Sequence, residues 1–196
     1  MHVIIVSKTR MGAARCVGGL AANNQSVRLL DANGHNQPGN TPFEIGTVWD
    51  LQFVPRQDCR PPHVEDVLIT SSQRVGEQAN LRHYIIEHAP VWNGPIDVLF
   101  DGLLEFTHNG SGYIAESTGL PAVSTGFWIS DRELTRNGRA YIYDYRQLAY
   151  VGAAEPVDAL PAGTLIRVSL ARWWRPQGAN PDFEERCYLQ LSGWYL

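Results

Sequence analysis

Thr164-Leu165-Ile166-Arg167-Val168-Ser169-Leu170-Ala171-Arg172-Trp173-Trp174 and, further on, Phe183-Glu184-Glu185-Arg186-Cys187-Tyr188-Leu189-Gln190-Leu191-Ser192-Gly193-Trp194-Tyr195 are two long runs in which apolar and polar residues alternate. Alternation with a period of two is the mark of a strand buried on one face, because successive side chains point to opposite sides. Between the runs, Arg175 to Asp182 carries a glycine, two prolines and an asparagine, residues that favour a turn. The runs are therefore expected to form an antiparallel hairpin. With Ile166, Val168, Leu170, Cys187, Leu189 and Leu191 directed to a core, Arg167, Ser169, Ala171, Trp173, Tyr188, Gln190, Ser192 and Trp194 face away.

Working back from this hairpin, the rest of the chain is also mostly strand. Val3 to Val6 is β-branched, and Ala14 to Leu20 and Gln25 to Leu30 flank a turn at Ala21-Ala22-Asn23-Asn24. Asp31 to Asn40 is loop. Gly46 to Val54 alternates, with Trp49, Leu51 and Phe53 on one face. Pro55 to His63 breaks regular structure, and Val64 to Thr70 reads as a fifth strand. Leu81, Tyr84, Ile85 and His88 then fall at helical spacing, which predicts an amphipathic helix over Gln73 to His88, ended by Pro90. Gly94 to Phe106 reads as a second, shorter helical stretch. Strands return at Gly126 to Ser130, Arg139 to Tyr145 and Gln147 to Val151.

The order is strands, helix, strands. The fold class expected is mainly β, two small OB-like barrels joined by a helical segment, with boundaries at residues 1–72, 73–106 and 107–196. The 196 residues are 44% apolar and 18% charged, with 18 glycines and 12 prolines, enough to bury a core between frequent turns. The apolar start, Val3 to Val6, is too short for a signal sequence, no later stretch is long enough to span a bilayer, and three widely spaced cysteines suit reduced thiols. A cytoplasmic setting without membrane attachment is expected.

The net charge of −4 argues against wrapping a nucleic-acid backbone with a general positive field. Local patches are still open to it. Lys8, Arg10, Arg15 and Arg28 gather near the start, and Arg167 lies on the final hairpin beside Trp173, Tyr188 and Trp194. Cations interleaved with aromatic rings suit phosphate contact and base stacking, so these eight residues are the candidate contacts for single-stranded nucleic acid or a nucleotide. The alternative for the hairpin face is packing against the helix or the other half.

No catalytic or metal site is expected. Cys59 and His63 lack the paired spacing of structural zinc, and no phosphate-loop or nucleophile-elbow pattern occurs. Asp97, Asp101 and Glu105 recur every four residues and would share a face of a helix, the one carboxylate group that an enzyme reading could use. No cofactor is expected.

Ser7-Lys8-Thr9-Arg10-Met11-Gly12-Ala13-Ala14-Arg15-Cys16-Val17-Gly18-Gly19, with Val27-Arg28-Leu29-Leu30 and Gly46-Thr47-Val48-Trp49-Asp50-Leu51, resembles the bacterial dual OB-containing proteins. Arg15-Cys16-Val17-Gly18 and Arg28 match the family pattern; Ala14, Val27 and Leu29 depart from its usual glycine, isoleucine and proline. The resemblance is concentrated in the first 70 residues or so. It implies two OB-like barrels and a setting in prokaryotic defence systems, and it transfers no catalytic residue. The function expected is a non-enzymatic module that binds single-stranded nucleic acid or a nucleotide. Two alternatives are a protein-interaction subunit of a defence complex and a nucleotide-processing enzyme.

Overall fold

The computed structural model describes residues 1–180 and 182–196. Five strands, β1 (His2–Met11), β2 (Ala14–Ala21), β3 (Ser26–Leu30), β4 (Thr47–Pro55) and β5 (Asp66–Glu77), close into a barrel in the order β1-β2-β3-β5-β4. Neighbours are antiparallel except β3 and β5, which run parallel. The alternation read in the sequence fills this barrel: Val3, Ile5, Val17, Leu29, Trp49 and Leu51 form its core. The β1–β2 turn is made by Gly12, at a φ of 62° that side-chain-bearing residues avoid, and by Ala13.

The second half contains α1 (Leu81–His88), β6 (Val91–Gly94), β7 (Glu105–Phe106), β8 (Gly112–Ala115), β9 (Thr125–Ser130), β10 (Leu134–Asn137), β11 (Ala140–Tyr143), β12 (Arg146–Tyr150), β13 (Ala159–Leu160), β14 (Leu165–Leu170) and β15 (Arg186–Tyr195). Its sheet runs β13-β10-β11-β12-β15-β14-β9-β6, with β7 and β8 branching from β15. The expected final hairpin is present as the antiparallel pair β14–β15. Ile166, Val168, Leu170, Cys187, Leu189 and Leu191 point into one core with Trp128 and Tyr141, as their alternation requires. The expectation of a mainly β fold holds.

Three local expectations need correction. The helix begins at Leu81 rather than Gln73, because Gln73 to Glu77 continue β5 and pair with Thr47 to Asp50 of β4. The first barrel therefore extends past residue 72. Asn80 starts the helix by accepting the His83 amide hydrogen on its side chain. Second, Gly94 to Phe106 is not a helix with a carboxylate face: its Ile96–Gly102 portion is 3-10 turn interrupted by Leu99, Phe100 and Asp101, the last two at positive φ. Asp97 instead pairs with Arg146, and Glu105 accepts a hydrogen bond from Tyr113. Third, the strand expected over Arg139 to Tyr145 spans only Ala140–Tyr143. Asp144 turns the chain at positive φ and leaves Tyr145 exposed.

The halves dock through β1. Its Ile4 and Val6 join Leu20, Ile85, Phe127, Leu165 and Tyr195 in a third apolar cluster. Backbone bonds reinforce the contact: the Arg10 amide donates to Val151 O at 3.0 Å, and the Ala153 amide to Lys8 O at 2.8 Å. Val6 is the extra residue of a bulge in the β1–β2 ladder, and its carbonyl accepts a hydrogen bond from the Tyr195 hydroxyl. Among the described residues no helix is long and apolar enough to cross a membrane.

Candidate functional site: a cleft between the two halves

Where β1, β2 and β3 of the barrel face β14, a cleft of about 250 Å³ opens. Ser7 and Thr9 reach it from β1, Gly18 from β2 and Arg28 from β3; the β4–β5 loop contributes His63 and Glu65, and β14 contributes Arg167 and Ser169. Its charged groups are held in two different ways.

The barrel wall is neutralised. Asp66, at 3% exposed, accepts from Arg28 Nη2 at 2.6 Å and from Arg172 Nη2 at 2.7 Å, while Arg56 stands 3.9 Å away. Beside it the buried Glu65 carboxylate accepts both the amide and the hydroxyl of Ser124. These acids are committed to structural partners from both halves, which pins the β4–β5 loop to the second half.

The β14 wall carries a charge that is not neutralised. Arg167 is 6% exposed, yet it forms no ion pair among the described residues; its Nη1 donates to Ser192 Oγ at 3.1 Å. Ser192 is the extra residue of a bulge opposite Arg167, and its hydroxyl in turn donates to the Arg167 carbonyl at 3.1 Å. A bulge re-aims side chains, and this one fixes the guanidinium toward the barrel. Room for it comes from Gly18, where a Cβ would lie 2.8 Å from an Arg167 guanidinium nitrogen and 2.5 Å from Ser7 Oγ. A buried cation with no counter-ion costs several kcal/mol, up to about 5. With Arg28, Arg167 and Arg172 against Glu65 and Asp66, positive charge is in excess.

His63 closes one end. Its Nε2 lies 3.0 Å from Ala171 O and 3.2 Å from Leu170 O, so it must carry the proton that both carbonyls accept. Nδ1 is buried and, among the described residues, has no hydrogen-bond partner, so a second proton finds no acceptor among them. Burial accordingly lowers the His63 pKa, with lesser opposing effects from the two carbonyls and Glu65. His63 is a neutral clamp between the barrel loop and the end of β14.

Of the eight residues singled out in the sequence, the cleft gathers two, Arg28 and Arg167. Lys8 is buried against Glu44 at 2.6 Å, Arg10 reaches the carbonyls of Ala153 and Ala154, and Arg15 bonds the carbonyl of Ala14. Trp173 donates to Pro61 O at 2.8 Å under the Arg60 guanidinium. Tyr188 packs between Tyr113 and Trp174, and Trp194 against Tyr141 and Tyr150. The eight do not form one surface: the polar part of the hairpin's outer face meets the barrel, and Trp194, expected on that face, is not on it, because the extra residue Ser192 shifts the alternation by one and sets Trp194 opposite Ile166 against the core. His63, Glu65, Asp66, Ser124 and Arg172 were not read as site residues. One signal for them was available, the acid pair Glu65-Asp66 set at the head of the apolar run Val67-Leu68-Ile69.

A closed five-stranded barrel whose β2–β3 face and β4–β5 loop border a polar cleft is an OB-fold binding module. The match to known families runs over residues 1–194 and is to the dual OB-containing domain, so the chain belongs to that family. No curated protein and no solved structure matches it.

Proposed function

We propose that the protein is a non-enzymatic binding module whose inter-barrel cleft holds a phosphate-bearing ligand of the nucleotide class. The observation that carries this reading is Arg167, a buried guanidinium without a carboxylate, turned by a bulge toward a cleft that has excess positive charge. A bound phosphate would supply the missing counter-charge in a low-dielectric setting, where charge-assisted hydrogen bonds are strong. A cleft of about 250 Å³ suits a small ligand better than a long strand, whose binding calls for a continuous track of cations and rings. In the prokaryotic defence setting implied by the family resemblance, such a module would serve as a nucleotide receptor.

The test is calorimetric titration of the protein with nucleoside 5′-monophosphates at rising salt, repeated with Arg167→Met. Binding that weakens with salt and drops at least tenfold in the variant supports the reading; equal affinity in the two proteins rejects it. A second reading, protein docking, is favoured by Trp174, which is 51% exposed beside Tyr188 at the hairpin's end. It predicts that Trp174→Ala abolishes capture of a partner while nucleotide affinity stays the same.

A further inference from the structure

A second chamber of about 480 Å³ adjoins the polar cleft and shares Val27, Glu65, Asp66 and Thr125 with it. Its character is different. Phe53, Val64, Val123 and Trp92 supply apolar walls, and Val64 and Val123 are 49% and 37% exposed. Trp92 is fixed in place: its ring lies so close over Gly126 that a Cβ there would clash with it, and it packs on Phe100 at 5.0 Å between centroids. At the rim, the β2–β3 turn presents Asn24 and Gln25, whose amides can both donate and accept.

We propose that the two chambers form one bipartite site for a mononucleotide, with the phosphate on Arg167 and the heteroaromatic ring in the apolar chamber. This rests on the anion reading of the cleft and adds the identity of the ligand's other end. Three observations converge on it. An anion site and an apolar chamber are set side by side along the same seam between the halves, as the two ends of a nucleotide require. The chamber lies in the size range of small-molecule pockets, about 300–1,000 Å³, and is too confined for a folded partner. Its rim offers the Asn and Gln amides that pair with the edges of bases, above aromatic walls on which a ring can lie. Glu65 and Asp66, held by Ser124 and the arginines, form the divide across which the sugar would pass.

The experiment compares binding of inorganic phosphate, ribose 5-phosphate, the four common ribonucleoside 5′-monophosphates and the corresponding free nucleosides to the full chain by calorimetry. The tightest nucleotide is expected to bind at least tenfold better than ribose 5-phosphate, about 1.4 kcal/mol. Val123→Trp, which fills the chamber from an exposed position, is expected to bring that ratio close to one; Val64→Trp, on the β4–β5 loop, does the same if the first variant fails to fold. Equal affinity for nucleotide and ribose 5-phosphate overturns the ring site and leaves the anion site standing, as does a ratio that survives both tryptophan variants. A free nucleoside that binds as tightly as its phosphate, with Arg167→Met without effect, overturns the anion reading alone. Absence of binding by every probe overturns both.

Discussion

The two walls of the cleft carry arginines in opposite circumstances. On the barrel side, Arg28 and Arg172 converge on Asp66, so their charge is spent in joining the halves. On the β14 side, Arg167 is more deeply buried than either and, among the described residues, its guanidinium bonds the Ser192 hydroxyl and no carboxylate. The difference separates arginines that hold the structure together from one that is held by it. Removing the first kind should cost stability, and removing the second should cost binding.

The largest expected effect falls on the paired wall. Asp66→Asn deprives two arginines of their shared counter-charge and is expected to lower unfolding free energy by about 3 kcal/mol, the low end for a broken buried pair because Arg28 and Arg172 keep some access to water. Denaturant titration measures this; a loss under 1 kcal/mol would show that Asp66 does not bind the halves together. Next comes the glycine that makes room for the unpaired cation. Gly18→Ala places a methyl group against Ser7 and Arg167 and should cost about 2 kcal/mol, with nucleotide affinity reduced as the guanidinium is displaced.

Arg167→Met itself should leave stability unchanged or raise it by about 1 kcal/mol, since a buried charge gives way to an apolar chain of similar length. If thermal unfolding shows strong destabilisation instead, Arg167 belongs with the structural arginines and the contrast between the walls is lost.

His63 sharpens the comparison through pH. Its pKa is lowered in the folded protein, so the unfolded chain binds a proton first as pH falls. Stability from this group is fully present above the ordinary histidine value of about 6.5 and is lost as pH drops below it toward the lowered value, at up to about 1.4 kcal/mol per pH unit. His63→Gln should flatten the unfolding free energy against pH in that window. The carboxylates with lowered pKa, Asp31, Asp50 and Glu184, act in the opposite sense of charge and lose their contribution only in more acidic solution, below about pH 4. The smallest effect on binding is expected at Trp173→Ala, where loss of the Arg60 contact and of the hydrogen bond to Pro61 costs about 1–2 kcal/mol of stability and nucleotide affinity is unaltered.

Strands were legible in the sequence because period-two alternation depends only on one face being buried, and β14 and β15 show it up to the bulge at Ser192. The start of α1 was not, since Gln73 to Glu77 carry polar residues compatible with either state and are held as strand by their ladder to β4, a pairing between residues about 25 positions apart. For the site, Arg167 was correctly directed away from its own core, whereas Trp194, beyond the Ser192 bulge, turns back onto it, a shift that no local pattern announces. Alternation says that Arg167 leaves its own core; only docking of the barrel decides that it enters a cleft rather than solvent. His63 shows the same limit from the other side. Its local neighbours suggested at most a metal ligand, and its role comes from carbonyls more than 100 positions away.

The hydrogen bond from Tyr195 to Val6 spans 189 positions of chain, and the seam it closes is where the cleft forms. Contacts so distant in sequence are reached only after the entropy of closing a very long loop has been overcome, and they slow assembly accordingly. The barrel, with its short β1–β2 and β2–β3 connections, can organise first; the seam forms when β15 arrives. Binding competence should therefore appear later in refolding than β structure, with nucleotide capture lagging behind the far-ultraviolet signal.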